Sequence, residues 1–174
     1  MIGEGIITKE PVIRIRDLVA KYGELTVLDG ISVDIYPGEI TVILGGSGCG
    51  KTTMLKNMLR LYEPAAGSVT FWGEETLTMG ENEFYEVLKR TGMLFQNGAL
   101  LNSISVYENI SIPLEMHTNL SRKVIDRIIR VKLDLVGLGN AIHRLPSELS
   151  GGMKKRASLA RALAMDPQIG RAHV

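Results

Sequence analysis

The chain has 174 residues, enough for one domain with a real core, and its 45% hydrophobic and 22% charged composition is ordinary for a globular protein. A formal net charge of +1 argues against a strongly basic nucleic-acid-binding surface, and the single cysteine, Cys49, excludes an internal disulfide, which suits a reducing compartment. No apolar run approaches the roughly 20 residues needed to cross a bilayer, and residues 1–11 lack the apolar stretch of a secretory signal, so any membrane role is expected to run through a partner.

In chain order, residues 12–19 alternate apolar and polar side chains and predict a strand. Residues 25–36 alternate in part, with Ile31, Val33 and Ile35 on one face, and end at the Pro37-Gly38 turn signal. Residues 40–44 are continuously apolar or β-branched, which predicts a strand covered on both faces. A glycine cluster follows, then a helix-compatible run over 51–61 with Met54, Leu55, Met58 and Leu59. Further strands are expected at 68–72 and 92–95, with a helix at 81–89 between them. Ser121 is a plausible N-cap for a helix whose apolar face is expected to be Val124, Ile128, Val131 and Leu135, ending at Gly137 and Gly139. A last helix is expected over about 152–165. The sequence has no internal repeat and no low-complexity segment.

The first glycine cluster, Gly45-Gly46-Ser47-Gly48-Cys49-Gly50-Lys51-Thr52, fits the phosphate-loop pattern G-x-x-x-x-G-K-[ST] between an expected strand and an expected helix. A polyphosphate needs several N–H donors converging on it, and backbone without Cβ atoms can approach it closely. The start of the following helix adds its positive end. Lys51 then supplies a point charge for the β- and γ-phosphates, the Thr52 hydroxyl can ligate Mg²⁺, and Thr53 belongs to the same nucleotide-binding set. A nucleoside triphosphate with Mg²⁺ is the expected ligand. Cys49 occupies a position that the pattern leaves open and is expected to be a small loop residue. His117 and His143 lie far apart with no neighbouring cysteine, so partner or surface roles are expected rather than metal ligation.

The second cluster, Leu149-Ser150-Gly151-Gly152-Met153-Lys154-Lys155-Arg156, again places glycine N–H groups at a helix start, with the Ser150 hydroxyl beside them. With the Leu159-Ala160-Arg161-Ala162-Leu163 run behind it and the phosphate loop upstream, it resembles the signature motif of ABC ATPases. The resemblance covers about residues 12–167. It implies an α/β fold: a P-loop NTPase core of the ABC ATPase type, with an antiparallel β subdomain and an inserted helical subdomain at about 97–160. It also implies roles at single positions. Gln96, after Phe95, would contact Mg²⁺ or the attacking water, and Tyr22 would stack on adenine. Pro146-Ser147-Glu148 fits the approach to the signature. A head-to-tail dimer is implied, in which ATP on Lys51 of one copy is closed over by Ser150, Gly151 and Gly152 of the other. Residues 95–101, residues 112–118 and Met153 look most like the ATPases of bacterial phospholipid transporters that maintain outer-membrane lipid asymmetry. The resemblance thus implies a transmembrane permease partner, no nucleic-acid partner, and a peripheral place on the cytoplasmic face of the inner membrane. Two alternatives stay open: a soluble ABC protein acting on nucleic acid or ribosomes, and an ATP-binding fragment that does not hydrolyse.

The family pattern breaks after Asp166-Pro167, where an apolar strand ending in Asp-Glu, the Walker B motif, would follow. The chain reads Gln168-Ile169-Gly170-Arg171-Ala172-His173-Val174 instead. Residues 1–168 are therefore expected to be a partial ABC ATP-binding domain, cut before the Walker B strand. As it stands, the chain is expected to hydrolyse ATP negligibly, because it lacks the water-polarising carboxylate. The codons ATC GGA AGA GCA CAC GTC, a string of sequencing-adapter DNA, would encode Ile169 to Val174, so residues 169–174 are expected to be a non-native tail. His173 is not expected to act as the family's switch histidine.

Overall fold

A computed structural model describes residues 9–95 and 98–172. The chain divides into two compact units, Met1–Phe84 and Tyr85–Val174.

The first unit is built on an antiparallel sheet of order β2-β1-β3-β4. Its strands are β1 (Ile13–Tyr22), β2 (Leu25–Ile35), β3 (Ala66–Phe71) and the two-residue β4 (Glu74–Glu75). The β1 pattern predicted from alternation holds, with one correction of phase. Ile13 and Ile15 are buried, then Leu18 and Ala20, because the register slips between Ile15 and Leu18 against β2 and between Arg16 and Val19 against β3. Asp17 takes the left-handed conformation there (φ 46°), and its N–H donates to Ser32 Oγ at 2.9 Å. Val69 and Phe71 of β3 join the same core. Helix α1 (Lys51–Met58) packs on β1 and β2 and buries Met54 and Met58.

Residues 40–44 do not form the expected buried strand. Ile40 and Leu44 are 93% and 86% exposed, and Val42 is exposed as well. An apolar run of this length carries no periodicity of its own. It becomes a central strand only when ladder partners exist on its flanks, and none pairs with it among the described residues.

Helix α2 (Glu81–Lys89) carries the chain into the second unit. There β5 (Thr91–Leu94) is followed by three helices: α3 (Val106–His117), α4 (Arg122–Leu135) and α5 (Gly151–Ala162). They pack around Val106, Ile110, Leu114, Ile129, Leu133 and Ala157, all essentially inaccessible to solvent. A capping box starts α3: Ser105 Oγ accepts from the Glu108 N–H, and the Glu108 carboxylate accepts from the Ser105 N–H at 2.7 Å. The face of α4 differs from the sequence expectation. Ile125, Ile129, Lys132 and Leu133 are buried, whereas Val124, Val131 and Leu135 are exposed and Ile128 is half-buried. Two apolar stripes lie side by side on this helix, and tertiary packing covers the one that the i, i+4, i+7 count does not select. The Lys132 ammonium reaches the Asp166 carboxylate, which lets a cation sit on the buried face.

Ile169–Ala172 form β6, pairing in parallel with β5 from Thr91↔Ile169 to Leu94↔Ala172. Ladder bonds are made by the main chain and accept almost any side chain, and Ile169 is buried. His173 and Val174 lie outside the described residues.

Candidate functional site

The phosphate loop leads into α1 through two glycines in left-handed backbone, Gly48 (φ 80°) and Gly50 (φ 95°). Gly50 is the N-cap, and no side chain caps this helix. A Cβ at Gly50 would stand 2.6 Å from Leu28 Cδ2 and 3.1 Å from the Val27 carbonyl oxygen, so only glycine lets the loop close against β2. The Lys51 ammonium turns back over the loop and donates to the carbonyls of Gly45 (2.6 Å) and Gly46 (2.8 Å), with Cys49 Sγ at 3.4 Å. One cation is thus held over the concave side of the loop, beside the positive end of a helix. Residues 45–49 and Thr52 are exposed, and Thr53 is buried. The expected helix after the loop is therefore present, and the expected strand before it is not.

Tyr22 ends β1 in the same unit and is 42% exposed. Its ring faces that of Tyr62, with centroids 4.6 Å apart and planes tilted by 30°. Sequence reasoning passes over Tyr62, which sits in a segment without periodicity, so no pattern singles it out.

In the second unit, Ser150 caps α5 by accepting from the Met153 N–H at 3.3 Å. Gly151 and Gly152 form the exposed first turn, and a Cβ at either would meet nothing within 4 Å. The rest of α5 is tied down. Arg156 donates to the Val136 carbonyl (2.9 Å), and Arg161 donates to the carbonyls of Ala99 (2.8 Å) and Gly98 (2.9 Å). Burial lowers the Arg161 guanidinium below its usual pKa. Asn109, fully buried on α3, holds the next stretch: its amide accepts from the Leu101 N–H and donates to the Leu101 carbonyl. Gln96 lies outside the described residues. Among the described residues no group of three or more His, Cys, Asp or Glu side chains could hold a metal, and the His117 ring hydrogen-bonds the Tyr85 hydroxyl instead (2.8 Å).

Comparison with known proteins agrees with this geometry. The ABC transporter family profile matches residues 28–170. The intermembrane phospholipid transport system ATP-binding protein MlaF of Haemophilus influenzae is 43% identical over 158 residues, which is 91% of this chain and 60% of that protein. MlaF of Escherichia coli K12 is 40% identical over 91% of this chain and 59% of that protein. A probable ribonucleotide transport ATP-binding protein of Mycobacterium leprae is 40% identical over 96% of this chain and 48% of that protein. The chain thus spans about half to three-fifths of the length of these relatives. Among solved structures, a dimeric bacterial ABC transporter cassette superposes with a TM-score of 0.85 at 28% identity, covering 92% of this chain and 72% of that one. The same cassette type in a post-hydrolysis state, bound to ADP and Pi, superposes with a TM-score of 0.84 at 28% identity over the same shares.

Proposed function

This chain belongs to the ABC transporter family, and from that premise we propose that it is the ATP-binding subunit of a phospholipid transporter. The observation that carries the nucleotide part is the loop itself: Lys51 poised over Gly45 and Gly46 at the uncapped start of α1. In this reading Gly45, Gly46, Ser47, Gly48, Cys49, Gly50, Lys51, Thr52 and Thr53 hold the phosphates of ATP, and Tyr22 takes the base. Mg²⁺ suits the exposed Thr52 hydroxyl, because this ion keeps most of its ligands from water and phosphate and needs few from protein. When bound, it would neutralise charge on the β- and γ-phosphates. Gln96 serves as the water- and Mg²⁺-contacting residue. Helices α3–α5 serve as the inserted helical subdomain, about residues 97–160, of an ATP-binding domain spanning residues 1–168.

The working unit is a head-to-tail dimer in which Ser150, Gly151 and Gly152 of one copy close over ATP on Lys51 of the other. The dimeric cassettes among the similar structures support this arrangement. A transmembrane permease docks near residues 96–118, at the cytoplasmic face of the inner membrane. No helix among the described residues is long and apolar enough to cross a membrane, which supports a peripheral place. The net charge of +1 supports a role without nucleic acid.

Phospholipid as cargo rests on the likeness to MlaF. The ribonucleotide transport proteins, at 40–41% identity, favour a second cargo class. The deciding experiment purifies the protein expressed from its own gene with its permease and measures ATP hydrolysis. Stimulation by phospholipid and not by ribonucleotide is expected, and the reverse pattern would replace the cargo assignment.

A further inference from the structure

The phosphate helix and the base platform are joined through one residue, Tyr62. Asn57 lies on α1, two turns beyond Lys51, and is fully buried. Its amide donates to the Tyr62 carbonyl at 2.6 Å, which fixes the backbone of the segment leaving α1. The Tyr62 hydroxyl donates to the carbonyl of Lys21, the residue before Tyr22. The Tyr62 ring then covers one face of the Tyr22 ring, 4.6 Å away between centroids and tilted by 30°. Tyr62 is half-buried, whereas Tyr22 keeps 42% of its surface open. A lone tyrosine at the end of a hairpin strand would sample several rotamers. Here one face is occupied by an aromatic partner anchored at its backbone and at its hydroxyl, so the ring is held while part of it stays open to solvent.

We propose that Tyr62 is a positioning residue for base recognition: with Tyr22 it forms a two-ring platform that stacks a planar purine and sets the base at a fixed reach from the phosphate loop. The inference rests on the assignment of Tyr22 to the base. Such a platform would let the chain favour a nucleotide over a bare polyphosphate without base-specific hydrogen bonds. Stacking supplies affinity to any flat ring, and the link from Asn57 through Tyr62 spares the entropy cost of ordering the platform on binding.

The test compares Mg·ATP with Mg·tripolyphosphate by calorimetric titration, on the protein expressed from its own gene. Tyr62→Leu keeps bulk and removes the aromatic plane. It is expected to weaken ATP binding about 5- to 10-fold and to leave tripolyphosphate within twofold. Tyr62→Phe keeps the plane, loses only the hydroxyl bond, and is expected to stay within about threefold for both ligands. In a Tyr22→Ala background, Tyr62→Leu should have no further effect on the ratio of the two affinities. A merely structural role would lower both ligands together. If Tyr62→Leu leaves the ratio unchanged while Tyr22→Ala shifts it, the inference is overturned and the Tyr22 assignment stands. If Tyr22→Ala itself leaves the ratio unchanged, the base assignment fails and the inference falls with it.

Discussion

Among the described residues, helices α1, α3 and α5 finish their first turns in three different ways. At α3 the donors are used internally: Ser105 and Glu108 cap each other's backbone. At α5 a single hydroxyl, Ser150, takes one donor, and two exposed glycines follow. At α1 no side chain caps the helix, the N-cap is a left-handed glycine, and a lysine leans over the loop. An uncapped helix start leaves N–H groups for an anion, and what sets α1 apart is the glycine loop before it with the Lys51 ammonium held over that loop. The two glycine clusters also differ in what constrains them. Gly50 is held to glycine by its own chain, through Leu28 and Val27, whereas nothing among the described residues crowds Gly151 or Gly152. The proposed closure of a partner copy over ATP would supply a requirement for glycine there.

The sharpest way to break this contrast is Lys51→Ala. Removing the cation at the unfinished start is expected to weaken Mg·ATP binding at least about 100-fold in a fluorescence titration, since a charge-assisted contact to phosphate is lost and no neighbour replaces it. Unchanged affinity would show that the loop does not cradle phosphate. Next in size is Gly50→Ala. A side chain at φ 95° is strained and would overlap Leu28, so thermal unfolding should report a loss of about 2–4 kcal/mol.

Gly151→Ala should behave in the opposite way. Alanine is the better helix former and meets open space, so the melting temperature should hold or rise slightly. In the protein expressed from its own gene, ATP turnover should fall at least about tenfold, because the new methyl stands where the partner's nucleotide would approach. A stability loss like that of Gly50→Ala would erase the distinction between the two clusters.

The smallest effect belongs to the completed start. Hydrogen bonds from the Ser105 side chain and backbone hold the Glu108 carboxyl below the usual carboxylate range. A depressed pKa contributes stability above the ordinary carboxylate range, and that contribution is lost as pH falls through the lowered value. Glu108→Gln should therefore flatten the acid limb of the stability–pH curve slightly and leave ATP affinity untouched.

Much of this was legible in the sequence where local chemistry decides. The alternation of β1, the glycine turn that leads into α1, and the start of α4 at Ser121 each depend on residues adjacent in the chain. Where the outcome depends on distant partners, the sequence misleads or is silent. Residues 40–44 read as a buried strand because apolar runs look alike, yet a strand needs a neighbour, and Ile40 is exposed. On α4 two adjacent apolar stripes compete, and packing against α3 and α5 buries Ile125, Ile129 and Leu133 rather than Val124, Val131 and Leu135. Helix α3 escapes notice because Pro113 interrupts a pattern that Ser105 and Glu108 otherwise announce. Tyr62 is invisible because its meaning is a ring 40 positions upstream, at Tyr22. The strand at Ile169–Ala172 shows the same limit from the other side: its main chain pairs with β5 whatever the side chains suggest.

The central claim is that the unfinished start of α1, and not the completed start of α3, receives the phosphates of ATP. Amide chemical-shift mapping with Mg·ATP on isotope-labelled protein tests it directly. The account predicts the largest shifts at the N–H groups of Gly46 to Thr53, a smaller ring-current shift near Tyr22, and none at Val106 to Asn109. Shifts centred on Val106 to Asn109, with Gly46 to Thr53 unmoved, would contradict it.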